Sequence, residues 1–177
     1  MWICLEVLLL QNKEKNIKFV VNAIALMNED DKEYILLKEN KKQDSNDIIF
    51  ELPGGVIMDS ENVYGCLRRE LNTKGFEVTK IFGEDKCKKL SNEEEAVTVF
   101  KPFCVSQSNT GRSSIITNTI LCEVDNTKAK TVNKKSGYKL VCTDDIETML
   151  VDQKENISSH NIAALKSFCK SLKSYIY

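Results

Sequence analysis

Nowhere in these 177 residues is there an apolar run long enough to span a bilayer, so a membrane-crossing helix is not expected. Charge of one sign is also lacking. Lys plus Arg number 25 and Asp plus Glu 26, a net charge of −1, which leaves no electrostatic footprint for duplex nucleic acid or for a polybasic membrane surface. The seven cysteines (Cys4, Cys66, Cys87, Cys104, Cys122, Cys142, Cys169) are odd in number, scattered, and never form a C-x-x-C pair. That spacing argues against a disulfide framework or a zinc site and for reduced thiols acting as small hydrophobes in a cytosolic protein. His160 is the one histidine, and no Ser or Cys nucleophile motif accompanies it, so a histidine-based triad has no support. There is no internal repeat and no Pro/Gly/Ser-rich linker, and a single domain over 1–177 is expected. Met1 to Leu10 contains Glu6 and lacks a basic leading region and a small-residue cleavage site. It reads as a strand rather than a secretion signal, which makes the expected compartment cytoplasmic, with the nucleus also open. Asn156-Ile157-Ser158 is a glycosylation sequon that carries little meaning without such a signal.

What is present is ordinary globular composition, 42% hydrophobic and 29% charged, which excludes general disorder. Trp2 to Leu10 and Ile17 to Leu26, around the polar turn Gln11 to Asn16, read as a hairpin or as consecutive antiparallel strands. Tyr34 to Leu37 and Ile48 to Leu52 read as strands separated by a polar loop, and the second runs into Pro53-Gly54-Gly55. Asp59-Ser60 predicts a helix N-cap, and Val63, Leu67 and Leu71 then recur on one helical stripe until about Lys74, with Gly75 as a stop. Further strands are predicted over Phe76–Phe82, Ala96–Val105 and Ile115–Val124, the last two joined by a turn over Ser106–Ser114. Gly83 to Glu95 reads as a charged loop or insert, and Asp125 to Ser136 as a second polar loop. Tyr138 to Cys142 is a short strand, Thr143 caps a brief helix to Leu150, and Ser158 or Ser159 caps a final helix. The expected apolar stripe of that last helix is Ile162, Leu165, Cys169 and Leu172. Such an order predicts an α+β sandwich.

Gly55, five residues, Glu61, seven residues, then Arg69-Glu70-Leu71, closed by Gly75-Phe76, resembles the Nudix box, G-x5-E-x7-R-E-U-x-E-E-x-G-U. The lead-in Leu52-Pro53-Gly54 resembles that family's usual one. The resemblance implies an α/β/α sandwich with a mixed central sheet, here with an N-terminal hairpin extension over 1–26 and the box over 55–76. It also implies Mg²⁺-assisted attack on a pyrophosphate. A hard cation of that kind takes oxygen ligands, and carboxylates at i, i+3 and i+4 of a helix share one face. Position i is Glu70, but i+3 is Thr73 and i+4 is Lys74, and the box is one residue short before Gly75. An ammonium stands where a metal-holding carboxylate is expected. The resemblance therefore gives Glu70, Glu61 and Arg69 as catalytic candidates. The Gly54 carbonyl and Glu70 are candidates for a weak Mg²⁺ site, while Lys74 is an alternative that contacts phosphate directly. Glu61 and Arg69 equally read as a structural pair across the loop–helix junction.

Most of the chain is similar to one branch, the ADP-ribose (ADP-sugar) pyrophosphatases. By that likeness Trp2 and its hairpin help build a homodimer, Trp2 serving as an aromatic wall for a base or as a packed interface residue. Gly54, Gly55, Lys74 and Gly111, the last in the post-box turn with Thr110, are the further substrate-binding candidates. Gly137-Tyr138 stands where relatives carry an acidic loop, yet no acid lies between Val132 and Cys142. Glu93-Glu94-Glu95 and the lysines Lys128, Lys130, Lys134 and Lys135 read as solvated loops. Three functions follow. The first is an ADP-ribose-type nucleotide binder or scaffold with impaired catalysis. The second is an active Mg²⁺-dependent enzyme releasing AMP and a sugar phosphate. The third is a protein–protein adaptor with no nucleotide pocket.

Overall fold

A computed structural model describes residues 16–41, 47–82, 84–87, 97–100, 103–110, 113–126, 137–152 and 156–174. The run Phe19 to Met27 is apolar at every position but Asn22, the pattern of a strand covered on both faces. It forms the centre of β1 (Asn16–Glu29). Along one edge β1 pairs in parallel with β9 (Ser113–Asp125), from Asn16↔Ser113 to Leu26↔Glu123. Its other edge is shared. The last four residues pair with β2 (Lys32–Lys41) across a two-residue turn at Asp30 and Asp31, both at positive φ (49° and 61°). That is the backbone a tight hairpin of this hand requires, and aspartate tolerates it.

Beyond the turn β1 and β2 part, and the next segment fills the fork between them. β3 (Ile48–Glu51) pairs with β2, and β4 (Gly54–Val56) pairs with β1. The switch falls at Leu52-Pro53, where Ala23 N–H donates to the Pro53 carbonyl at 2.8 Å. β5 (Glu77–Ile81) and β8 (Cys104–Thr110) share the far edge of β9, and β10 (Tyr138–Cys142) pairs with β2. The short β11 (Asn156–Ile157) runs parallel to β3.

Helices cover both faces of this mixed sheet. Val21, Ala23, Ala25 and Met27 on one side of β1 pack with Val63, Cys66, Leu67 and Leu71 of α1 (Val63–Asn72). Ile24 and Leu26 on the other side join Ile146 and Met149 of α2 (Thr143–Asp152) and Ala164, Leu165 and Phe168 of α3 (Ser159–Ser174). The result is the expected α/β/α sandwich. Each fully buried Leu or Ile contributes about 1.5–3 kcal/mol. Among the described residues no helix is long and apolar enough to cross a membrane.

Several expectations need correction. Ile17–Leu26, the second arm of the expected N-terminal extension, is the middle of the sheet, with both of its edges engaged within the chain. The first arm, with Trp2, lies outside the described residues, as do Gly111, Glu93 to Glu95 and the lysine loop. The predicted strand Ala96–Val105 divides into β7 (Val97–Phe100), which pairs with β6 (Glu84–Cys87) in a separate two-stranded sheet, and β8. Part of the supposed insert is therefore strand, and the supposed turn over Ser106–Ser114 is mostly strand as well. Thr143 does not cap α2 from outside. It is the first helical residue, and its Oγ1 donates to the Glu33 carbonyl at 3.3 Å. The stripe of α3 is shifted too: Asn161, Ala164, Leu165 and Phe168 are buried, and Ile162 and Cys169 sit at its margin.

Candidate functional site

The cap of α1 lies later than expected. Asp59 and Ser60 are in an exposed turn, and Asn62 is the N-cap, its side chain accepting from Gly65 N–H at 2.8 Å. The physical gain is at Glu61. Left just outside the helix, with its N–H donating to the Met58 carbonyl at 2.9 Å, it can turn its carboxylate onto Arg69. Arg69 Nε donates to Glu61 Oε1 and Nη2 to Glu61 Oε2, both at 2.9 Å, a two-point fork. Arg69 Nη1 pairs with Glu70 Oε1, and Nη2 also reaches the Val56 carbonyl at 3.2 Å. One guanidinium thus engages both surviving acids of the box. The fork holds the Glu61 carboxyl below the usual carboxylate range, aided by the Met58 amide.

Cys66 completes the group. Its thiol contacts the carbonyls of Val56 at 3.5 Å and Gly55 at 3.7 Å, and burial, then the Glu61 charge, pushes it up to about 11. Glu70 packs directly on Gly55, where a Cβ would overlap its carboxylate. Gly54 is equally constrained, because a Cβ there would run into the Val21 carbonyl oxygen and the Asn22 side chain. The juxtaposition of Glu61, Arg69, Glu70 and the glycine loop is therefore as the spacing predicts.

The helix end differs. α1 stops at Asn72; Gly75 N–H donates to the Asn72 carbonyl and Phe76 N–H to the Leu71 carbonyl, with Gly75 at φ 90°. This is a Schellman closure, with Leu71 and Phe76 packed in one core cluster. Thr73 is the cap residue, its hydroxyl donating to the Glu70 carbonyl at 3.0 Å, and Lys74 is exposed in the turn. The residue missing from the box thus brings the closure forward, onto the positions where carboxylates are expected.

A cleft of about 220 Å³ opens beside the glycine loop, lined among others by Asn22, Lys38, Glu51, Gly54, Gly55, Thr117, Ser158 and Asn161. Lys74 does not line it. Asn22 Nδ2 donates to Asn161 Oδ1 at 3.0 Å, and Asn161 is buried at the start of α3. That helix start is fixed by Ser158 N–H on the Phe50 carbonyl and Asn161 N–H on the Ser158 carbonyl, both 2.9 Å. Asn22, Lys38, Glu51 and Asn161 were missed by sequence reasoning. The signals were a lone polar residue in a doubly covered strand and one on the inner face of a helix. Tyr138, buried against Phe76 at 5.5 Å between ring centres, is raised by burial and then by the Glu70 charge.

These residues do not fit a hard divalent cation. Glu61 and Glu70 are both paired to Arg69, and no group of three His, Cys, Asp or Glu side chains suited to a metal occurs among the described residues.

No family model and no curated protein matches the chain by sequence. Solved structures do match it by shape. The Escherichia coli ORF135 protein shares 19% identity at a TM-score of 0.60, over 91% of this chain and 94% of that one. A NUDIX-family hydrolase from Clostridium perfringens shares 14% at 0.54, over 84% and 94%, and an ADP compounds hydrolase 15% at 0.56, over 89% and 74%. The layered sheet with its box helix and glycine loop defines an α/β/α sandwich. More narrowly, this chain has the Nudix fold.

Proposed function

We propose that the chain is a nucleotide-binding Nudix-fold protein with crippled pyrophosphate hydrolysis, taking a nucleoside diphosphate of the ADP-sugar class and acting as a binding scaffold. One observation carries the reading: α1 closes at Asn72, and Thr73 and Lys74 occupy the positions where two more carboxylates are expected. An attacking water would then lack the activation that such a site supplies, and each lost element costs orders of magnitude in rate. The cleft beside the loop survives, with amide, hydroxyl and ammonium groups around it. Support for the ligand class is the likeness to the ADP compounds hydrolase.

The chain's own residues then bind and orient. Arg69 locks the loop against the helix, Glu70 wedges under Gly55, and the Asn22–Asn161 amide pair fixes one end of the cleft. The test is thermal shift with ADP-ribose, followed by AMP release in Mg²⁺ or Mn²⁺. A shift without turnover is the expected result. Robust turnover that Glu70→Gln abolishes would return the chain to the hydrolases.

A protein-adaptor reading has an observation of its own. Val56 and Met58, beside the box loop, are 50% and 58% exposed. Absence of any nucleotide-induced shift would favour it.

A further inference from the structure

Among the described residues, Lys38 is the cation that lines the cleft. It stands in β2 directly opposite Glu51 of β3, and both line the same space as Gly54 and Gly55. The Glu51 carboxylate accepts from Asn40 Nδ2, whereas Lys38 has no ion pair among the described residues. The other basic group of the site, Arg69, is engaged by Glu61 and Glu70. A diphosphate entering this cleft brings more than one negative charge beside Glu51, and a compensating charge has to come from somewhere. Among the described residues the acids of the box, Glu61 and Glu70, are paired to Arg69, which leaves a side-chain cation as the source.

We infer that the cleft takes its diphosphate ligand without a divalent cation, the Lys38 ammonium supplying the positive charge at the glycine loop. The inference deepens the proposed function and rests on it. An ammonium neutralises phosphate but does not polarise a bound water as a metal does, so tight binding and absent turnover have one cause.

The experiment is calorimetric titration of the full chain with ADP-ribose, once in EDTA and once in millimolar Mg²⁺. The two affinities are expected to agree within about twofold. Lys38→Gln weakens binding about tenfold in both buffers, and Lys38→Arg keeps most of it, with melting temperatures confirming that each variant is folded. In a separate arm Mn²⁺ alone is added to the free protein and followed by electron paramagnetic resonance, with no bound ion expected at millimolar metal.

Mg²⁺ tightening the binding tenfold or more, or a bound Mn²⁺ that Glu70→Gln releases, overturns the inference and leaves nucleotide binding standing. Unchanged affinity in Lys38→Gln overturns it as well. No binding in either buffer overturns both the inference and the function on which it rests.

Discussion

The Glu70 carboxylate occupies the space in which a side chain on Gly55 would begin. A box acid and the glycine loop are thus held in contact by an absent Cβ, and the loop's path depends on both residues being what they are.

Alanine at the two glycines should therefore act differently. At Gly54 the added methyl meets backbone, the Val21 carbonyl oxygen, which cannot swing aside. At Gly55 it meets the end of a side chain. Gly54→Ala is expected to lose about 3 kcal/mol of stability and Gly55→Ala about 1 kcal/mol. Urea unfolding measures both, and equal losses would contradict the assignment.

Arg69→Lys should fail to replace Arg69, because an ammonium cannot fork to Glu61 while also reaching Glu70 and the Val56 carbonyl. Only a small stability loss is expected for so accessible a network. It should come with weaker ADP-ribose binding as the loop loosens. Lysine restoring full affinity would show that charge alone suffices.

The Glu61 pairing gives a pH signature. Its folded carboxyl titrates below the ordinary value, so its contribution is complete above the unfolded-chain carboxylate pKa. It is lost as pH falls through the lowered folded value. The melting-temperature gap between the wild type and Glu61→Gln should be constant at neutral pH and close in acid. A gap that widens on acidification would reverse the sign of the argument.

On the proposed reading, restoring the acids alone should not restore hydrolysis. Thr73→Glu with Lys74→Glu returns one carboxylate to the helix cap, on the face of Glu70, and puts the other in the exposed turn, with the residue before Gly75 still missing. AMP release should stay near background in the double variant and rise only when one residue is also inserted before Gly75. Full turnover without the insertion would show that the early closure is harmless.

Thiol reactivity offers a test of burial. Burial pushes Cys122 up to about 12 and Cys66 up to about 11, while Cys104 and Cys142 are half-exposed. Iodoacetamide near pH 8 should label Cys104 and Cys142 before Cys66 and Cys122, which should stay unlabelled until the chain is unfolded. Mass spectrometry of the digested protein reads the order.

The box was legible because its fixed residues lie close in sequence and act within one helix and its leading loop. So were β10 and the buried stripe of α1, where periodicity and packing agree. β8 was not. Its sequence, Cys-Val-Ser-Gln-Ser-Asn-Thr, shows no apolar alternation because much of the strand is accessible at the edge of β9, and backbone pairing rather than side-chain burial makes it a strand. The cleft was illegible for another reason. Asn22, Lys38, Glu51 and Asn161 come from four elements that only the fork between β1 and β2 brings together. No local spacing encodes that meeting. Thr143 misled because a threonine before a helix usually caps it, and here a strand carbonyl takes its hydroxyl.

The parallel pairing of β1 with β9 has a consequence for how the chain is made. β1 is among the first described segments to leave a ribosome, and its partner is synthesised about a hundred residues later. Until then one edge of the most apolar strand stays open, a template for the wrong neighbour. Closing so long a loop is slow, and a stalled or truncated chain cannot close it at all. Nascent chains ending before Ser113 should therefore cling to chaperones or aggregate, and full protease resistance should wait until α3 (Ser159–Ser174), which covers the second face, has cleared the exit tunnel.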